Sequence, residues 1–254
     1  MYVRGVKKLQ KVILVIHGMR SGKLNETLLH FTKRLFKETD LDYDIAFLES
    51  KTKTLSDCIR HNVQNGYQQI QMIPLLLLTA SHYFEDIIAI RDEWQSNHPE
   101  IEIQIAQPLG THPAMKDWIS EQIENCSSQI NDKTAIVILA HGNKRFEEPD
   151  IALTQITQEL TAQYHACFPA MVYGSLNFKQ ILPPLAQVYK RLIIIPYFFY
   201  DGFLVNRTKQ QISEMHLDCE MYFTPAIHFH PILKKVILAR LHELEEGACV
   251  SGTT

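Results

Sequence analysis

The chain has 254 residues, 46% of them hydrophobic and 21% charged, which is enough for one large domain or two small ones with cores of their own. Its 28 acidic and 25 basic residues leave a formal net charge of −3, excluding the broad positive footprint of a nucleic-acid binder, so an anionic ligand must be held by a local basic cluster. Cys58, Cys126, Cys167, Cys219 and Cys249 stand far apart without a Cys-x-x-Cys, which excludes a readable zinc or iron–sulfur motif, and their odd number points to free thiols in a reducing cytoplasm.

Short apolar, β-branched runs read as strands and the amphipathic stretches between them as helices. Residues 12–16 predict a buried strand and 25–37 a helix with Leu28, Leu29, Phe31, Leu35 and Phe36 on its apolar side. Strands follow at 43–48, 70–78 and 101–106, separated by helices at 55–65 and 83–96, and a helix at 112–126 closes the first half. The series then restarts: strand 135–140, helix 151–164, strand 171–173, helix 178–189, strand 192–199, helix 205–215, strand 219–222 and helix 231–246. Such alternation implies βαβ units and parallel sheets covered by helices.

The halves echo each other. A strand followed by His-Gly occurs at His17-Gly18 and 124 residues later at His141-Gly142. Ile73-Pro74 returns as Ile195-Pro196 after 122 residues, and His112-Pro113 as His230-Pro231 after 118. Three pairs at nearly one offset predict a tandem duplication of one doubly wound, flavodoxin-like α/β unit, with halves 1–126 and 134–246 sharing a cleft between them. The polar segment 127–133 reads as the boundary and 247–254 as a frayed, disordered tail. The basic N-terminus precedes only five apolar residues, too few for a signal core of roughly 7–15. The longest apolar run, 192–205, carries Pro196, Asp201 and Gly202 and falls short of the roughly 20 residues that span a bilayer. A cytoplasmic protein without membrane contact is expected.

Ligands of open parallel sheets bind beyond the carboxyl ends of the strands. His17 stands there, with Gly18 allowing a sharp turn and Arg20 and Lys23 following; the alternative for an isolated His-Gly is a turn or capping histidine. His82 lies at the same edge after the strand that contains Pro74, with Glu85 and Asp86 just beyond, and Glu49 directly follows Ala46-Phe47-Leu48. A carboxylate behind such a run would be a costly core residue unless it faces a cleft. Two imidazoles and a carboxylate converging above one sheet suit a divalent transition metal and can accept protons near neutral pH. Laid on the second half, His82 falls on Leu204 and Glu49 on Tyr173 or Gly174, so only His141 survives and that half is expected to bind substrate. Arg directly before His17, Gly-x-Ser-x-Gly, Gly-x-Gly-x-x-Gly and a Walker loop are all missing, which dismisses histidine phosphatases, α/β-hydrolases and nucleotide-binding loops.

The segments His17-Gly18-Met19-Arg20 with Asn25-Glu26, Ala46-Phe47-Leu48-Glu49, Pro74 through His82 to Asp86-Ile87, His141-Gly142, Tyr173-Gly174 and Pro196 through Gly202 to Arg207 together resemble the class II chelatases. These insert a divalent metal into sirohydrochlorin, with ferrochelatase and cobaltochelatase members. Met19 stands where that pattern usually has Ser and Ala80 where it usually has Gly, and the chain has no histidine-rich stretch or Cys-x-x-Cys appendage, which tilts the reading toward iron over cobalt or nickel. The resemblance implies that His17 and His82 bind the metal and take pyrrole protons, with Glu49 as a relay or auxiliary ligand. It implies a basic rim for a polycarboxylate ring, drawn from Arg20, Lys23, Lys51, Lys53, Lys144, Arg145, Arg207 and Lys209 together with His141, while Phe198, Phe199, Tyr200 and Phe203 face the macrocycle or the core. No cofactor is expected beyond the metal substrate, and the chain is expected as a monomer or homodimer. A two-lobed metal or tetrapyrrole binding protein is the alternative without turnover.

Overall fold

In the computed structural model, which describes residues 9–18, 24–79, 81–228 and 230–251, the strands are β1 (Gln10–Ile16), β2 (Tyr43–Phe47), β3 (Gln69–Leu75), β4 (Glu102–Ile105), β5 (Thr134–Ala140), β6 (Cys167–Met171), β7 (Arg191–Pro196) and β8 (Glu220–Phe223). The helices are α1 (Leu24–Leu35), α2 (Leu55–Gln64), α3 (Ala89–Asn97), α4 (Met115–Asn125), α5 (Glu148–Tyr164), α6 (Phe178–Val188), α7 (Phe203–Ser213) and α8 (Ile232–Ser251). A π-helical turn, His82–Ile88, leads into α3. The strands form two four-stranded parallel sheets of identical order, β2-β1-β3-β4 and β6-β5-β7-β8. In each, the order reverses between the first and third strands, the switch point at which doubly wound sheets leave room for a ligand.

The central strands are buried along almost their whole length, as a parallel sheet covered on both faces requires. Ile13 and Val15 pack with Ala46, Leu55, Ile59, Ile70, Met72 and Ile87, while Val137 and Leu139 pack with Ala170, Phe178, Leu182, Leu192, Ile194 and Ile212. Truncating one of the buried Leu, Ile or Met side chains among these to Ala costs about 2–5 kcal/mol.

Four elements depart most from the sequence pattern. β6 begins at Cys167, four residues before the predicted 171, because Pro169 disguises it; β6 is an edge strand, where a missing N–H is tolerated. β3 and β7 stop at Leu75 and Pro196, three residues earlier than their apolar runs suggest, because the loops beyond them remain partly buried, with Leu77 and Tyr197 inside. α8 runs on to Ser251, through much of the segment expected as a frayed tail.

The chain divides into two compact units. One holds the first sheet, His82–Leu109 and the last helix from Lys234; the other holds Leu77–Ser81 and Gly110–Leu233. Each unit therefore closes with a helix from the other half of the sequence. In the first, the buried Arg240 of α8 donates to the Pro108 carbonyl at 2.9 Å. In the second, Trp118 of α4 packs on Tyr197, whose hydroxyl donates to the Gly110 carbonyl at 2.7 Å. His112 and His230 begin these closing segments in the same way, each ring Nδ1 accepting the N–H two residues on, from Ala114 at 3.1 Å and Ile232 at 3.2 Å.

Candidate metal centre

Three strand ends of the first sheet bring His17, Glu49 and His82 together. β1 delivers His17; the chain beyond β2 stays in register, so that the Glu49 N–H donates to the His17 carbonyl at 2.9 Å; and the π-helical turn after β3 opens with His82. One ligand atom from each residue lies within 4.8 Å of the other two. The His17 Nε2 to Glu49 Oε1 distance is 3.9 Å, and the two imidazoles stand edge-on with centroids 4.4 Å apart. Metal–ligand bonds of about 2.1 Å place neighbouring ligands about 3.4 Å apart, so side-chain rotations of about 1 Å would close the set around one ion.

Both rings are held through Nδ1, and His17 turns Nε2 toward Glu49. His17 Nδ1 lies 2.9 Å from the Gly18 carbonyl, and His82 Nδ1 lies 2.7 Å from Asp86 Oδ2. A carbonyl or carboxylate oxygen only accepts, so Nδ1 carries the proton in each contact and the Nε2 lone pair is left for a ligand. Gly18 makes the turn at φ +70°, and a Cβ there would sit 2.7 Å from Phe47 Cδ1. π-helical turns are rare and occur frequently at functional sites.

The second unit repeats the scaffold without the ligand set. His141 Nδ1 lies 2.7 Å from the Gly142 carbonyl, and Gly142 turns at φ +69°. The N–H that donates to the His141 carbonyl belongs to Tyr173, at 3.0 Å, which decides between Tyr173 and Gly174 as the counterpart of Glu49. Its ring lies 5.2 Å from that of His141. The register pairs Pro74 with Val15 and Pro196 with Leu139, so Leu204 holds the place of His82. Among the described residues, the three of the first unit form the one such cluster of potential metal ligands.

The basic candidates separate. Arg20 and Lys23 lie outside the described residues, as do Met19 and Ala80. Lys51, Lys53, Lys144, Arg145 and Arg207 are exposed, and Arg145 lies over the Phe146 ring at 5.5 Å. Lys209 is engaged by Asp201 at 2.8 Å and is not a free rim cation. Asp201 also accepts from the Ala226 N–H and pairs with His228 Nε2 at 3.0 Å, which makes His228 part of a loop clip beyond β8. Burial alone would raise the Asp201 carboxyl, but Lys209, the Ala226 N–H and His228 outweigh it and hold the group below the usual carboxylate range. Of the aromatic set, Phe203 is 79% exposed, Phe198 packs on the second core, and burial raises the Tyr200 hydroxyl. The residue that the sequence pattern underrated is Asp86; its place four residues after His82, at a helix start, is the signal that two side chains share a helix face.

The CbiX family profile matches residues 11–126 and, a second time, 135–244. The chain belongs to the CbiX family. It is 24% identical over 226 residues to the sirohydrochlorin ferrochelatase of Priestia megaterium, covering 85% of this chain and 83% of that one. It is 25% identical over 257 residues to the sirohydrochlorin cobaltochelatase of the same organism, covering 94% and 81%. The structure of SirB from Bacillus subtilis with Fe3+ superposes with a TM-score of 0.77 at 23% identity, covering 92% of this chain and 95% of that one, and shares the two-sheet α/β fold. No helix among the described residues is long and apolar enough to cross a membrane.

Proposed function

We propose that the protein is a sirohydrochlorin ferrochelatase, a lyase-type metal chelatase that inserts Fe2+ into sirohydrochlorin to form sirohaem with release of two protons. The observation that carries this reading is the His17–Glu49–His82 cluster at the switch point of the first sheet, within a chain that belongs to the CbiX family and resembles named chelatases along most of its length. Two neutral imidazoles and one carboxylate are borderline ligands suited to iron, cobalt or nickel, and three protein ligands leave coordination positions open for water and then for ring nitrogens.

Insertion exchanges the bound water for four ring nitrogens and removes two pyrrole protons. His17 and His82 offer Nε2 to the ion, and as the ion passes to the ring the same lone pairs become free to take a proton. Glu49, 3.9 Å from His17, is half-exposed and can accept a proton from the ring side and release it to water. Arg20, Lys23, Arg145, Arg207 and His141 are proposed to bind the ring's carboxylates, consistent with a basic rim on a chain whose net charge is only −3. No cofactor is required beyond the metal substrate.

A cobaltochelatase is the second reading, because a relative of that name matches 94% of the chain at 25% identity, against 85% at 24% for the ferrochelatase of the same organism. The deciding experiment follows the absorbance of sirohydrochlorin with catalytic protein and Fe2+ or Co2+. Multiple turnovers with Fe2+ outpacing Co2+ at equal concentration are expected. Faster Co2+ insertion would make the protein a cobaltochelatase, and stoichiometric binding without acceleration would make it a binding protein.

A further inference from the structure

We propose that Asp86 is a positioning residue for the metal site, holding His82 through Nδ1 so that Nε2 faces the ion; this rests on the reading of His17, Glu49 and His82 as that site. The contact is short, 2.7 Å from Nδ1 to Oδ2, and joins residues four apart on one face of the π-helical turn. Ligating histidines gain orientation, a fixed tautomer and a stronger donor nitrogen when a carboxylate accepts from the other ring nitrogen.

The duplication supplies an internal control. The His-Gly contact occurs in both units, at His17 and at His141, so it comes with the turn whether or not a ligand set is present. The His82–Asp86 pair has no counterpart at the matching positions of the second unit. Those positions hold Leu204 and Thr208, and the buried Thr208 hydroxyl donates to the Leu204 carbonyl at 2.8 Å, leaving neither an imidazole nor a carboxylate. Both members of the pair are thus present where the cluster exists and both absent where it does not, as expected if Asp86 serves His82. Helix stability does not explain the pair: Asp86 is 46% and His82 31% exposed, and an exposed pair of this spacing adds little to folding.

The test measures Co2+ affinity by titration calorimetry and visible absorption, and Fe2+ insertion into sirohydrochlorin, on the full chain. Asp86→Ala is expected to weaken Co2+ binding about 10–100-fold and to lower kcat with the KM for the ring unchanged. Asp86→Asn, whose side-chain carbonyl still accepts from Nδ1, is expected to lose less, and it keeps the question open to measurement if the alanine variant folds poorly. Asp92→Ala, which removes another exposed carboxylate from the same helical segment, should bind Co2+ as the unaltered protein does. In a His82→Ala background Asp86→Ala should cost nothing further. Equal losses in both backgrounds would show that the carboxylate acts on the ion by charge alone and would overturn the proposal, as would Co2+ affinity and kcat within twofold of normal in both Asp86 variants. Failure of the unaltered protein to bind Co2+ would instead refute the metal site itself.

Discussion

Replacing Gly18 by alanine separates the stability of the first His-Gly turn from its role in holding His17. Gly18 and Gly66 both have left-handed backbones, at φ +70° and +88°, but a Cβ on Gly66 meets nothing within 4 Å whereas one on Gly18 sits 2.7 Å from Phe47 Cδ1. The left-handed conformation costs an L-residue about 1–2 kcal/mol, partly offset by the roughly 0.4–1 kcal/mol gained from a less flexible unfolded chain, so Gly66→Ala should cost about 1 kcal/mol or less. Gly18→Ala adds overpacking against Phe47, which is 2% exposed and has nowhere to withdraw; at about 1–3 kcal/mol for that clash, the total is about 2–4 kcal/mol. Relief of the clash must move the turn, and with it the carbonyl 2.9 Å from His17 Nδ1. Urea unfolding and Co2+ titration on both variants check this. Gly18→Ala should lose stability and about tenfold in Co2+ affinity, while Gly66→Ala keeps normal affinity. Undiminished affinity in Gly18→Ala would refute the claim that this carbonyl orients the ligand.

Arg207→Ala should raise the KM for sirohydrochlorin several-fold with kcat unchanged; an unchanged KM would remove this exposed cation from the proposed ring-binding set. Asp201 is depressed in the folded protein, so its stabilising contribution is present above the unfolded carboxyl value of about 3.9 and is lost as pH falls through the lower folded value. Denaturation of Asp201→Asn should therefore show a stability deficit at pH 7 that shrinks below about pH 4, and a deficit constant to pH 3 would contradict the clip. Burial pushes the Cys58 and Cys167 thiols up to about 12, so neither should react with a thiol-specific reagent at pH 8 until the chain unfolds; rapid labelling of the native protein, mapped by mass spectrometry, would contradict their burial.

The candidate ligands are legible in the sequence because a parallel α/β chain advertises its strand ends, and His17, Glu49 and His82 each follow one. What that pattern cannot carry is the path between strand end and side chain. His82 stands seven residues after β3, and the π-helical turn that aims it has no residue signature; nor does the carbonyl of Gly18 reveal in advance that it accepts from His17. Pro169 hides an edge strand, since a proline in a strand is read as a break until the sheet order is known. Helix α8 outlasts its expected end because residues 247–251, Gly-Ala-Cys-Val-Ser, read as a loose tail. The units exchange their closing helices, which local periodicity has no means to report.

The central claim is that the first unit's histidines carry the metal to the ring. Sirohydrochlorin binding and Fe2+ insertion measured side by side on His82→Ala test it most directly. The ring should bind with near-normal affinity while insertion falls by a hundredfold or more, on the order of the loss from removing a catalytic group. Near-normal insertion by that variant would contradict the assignment.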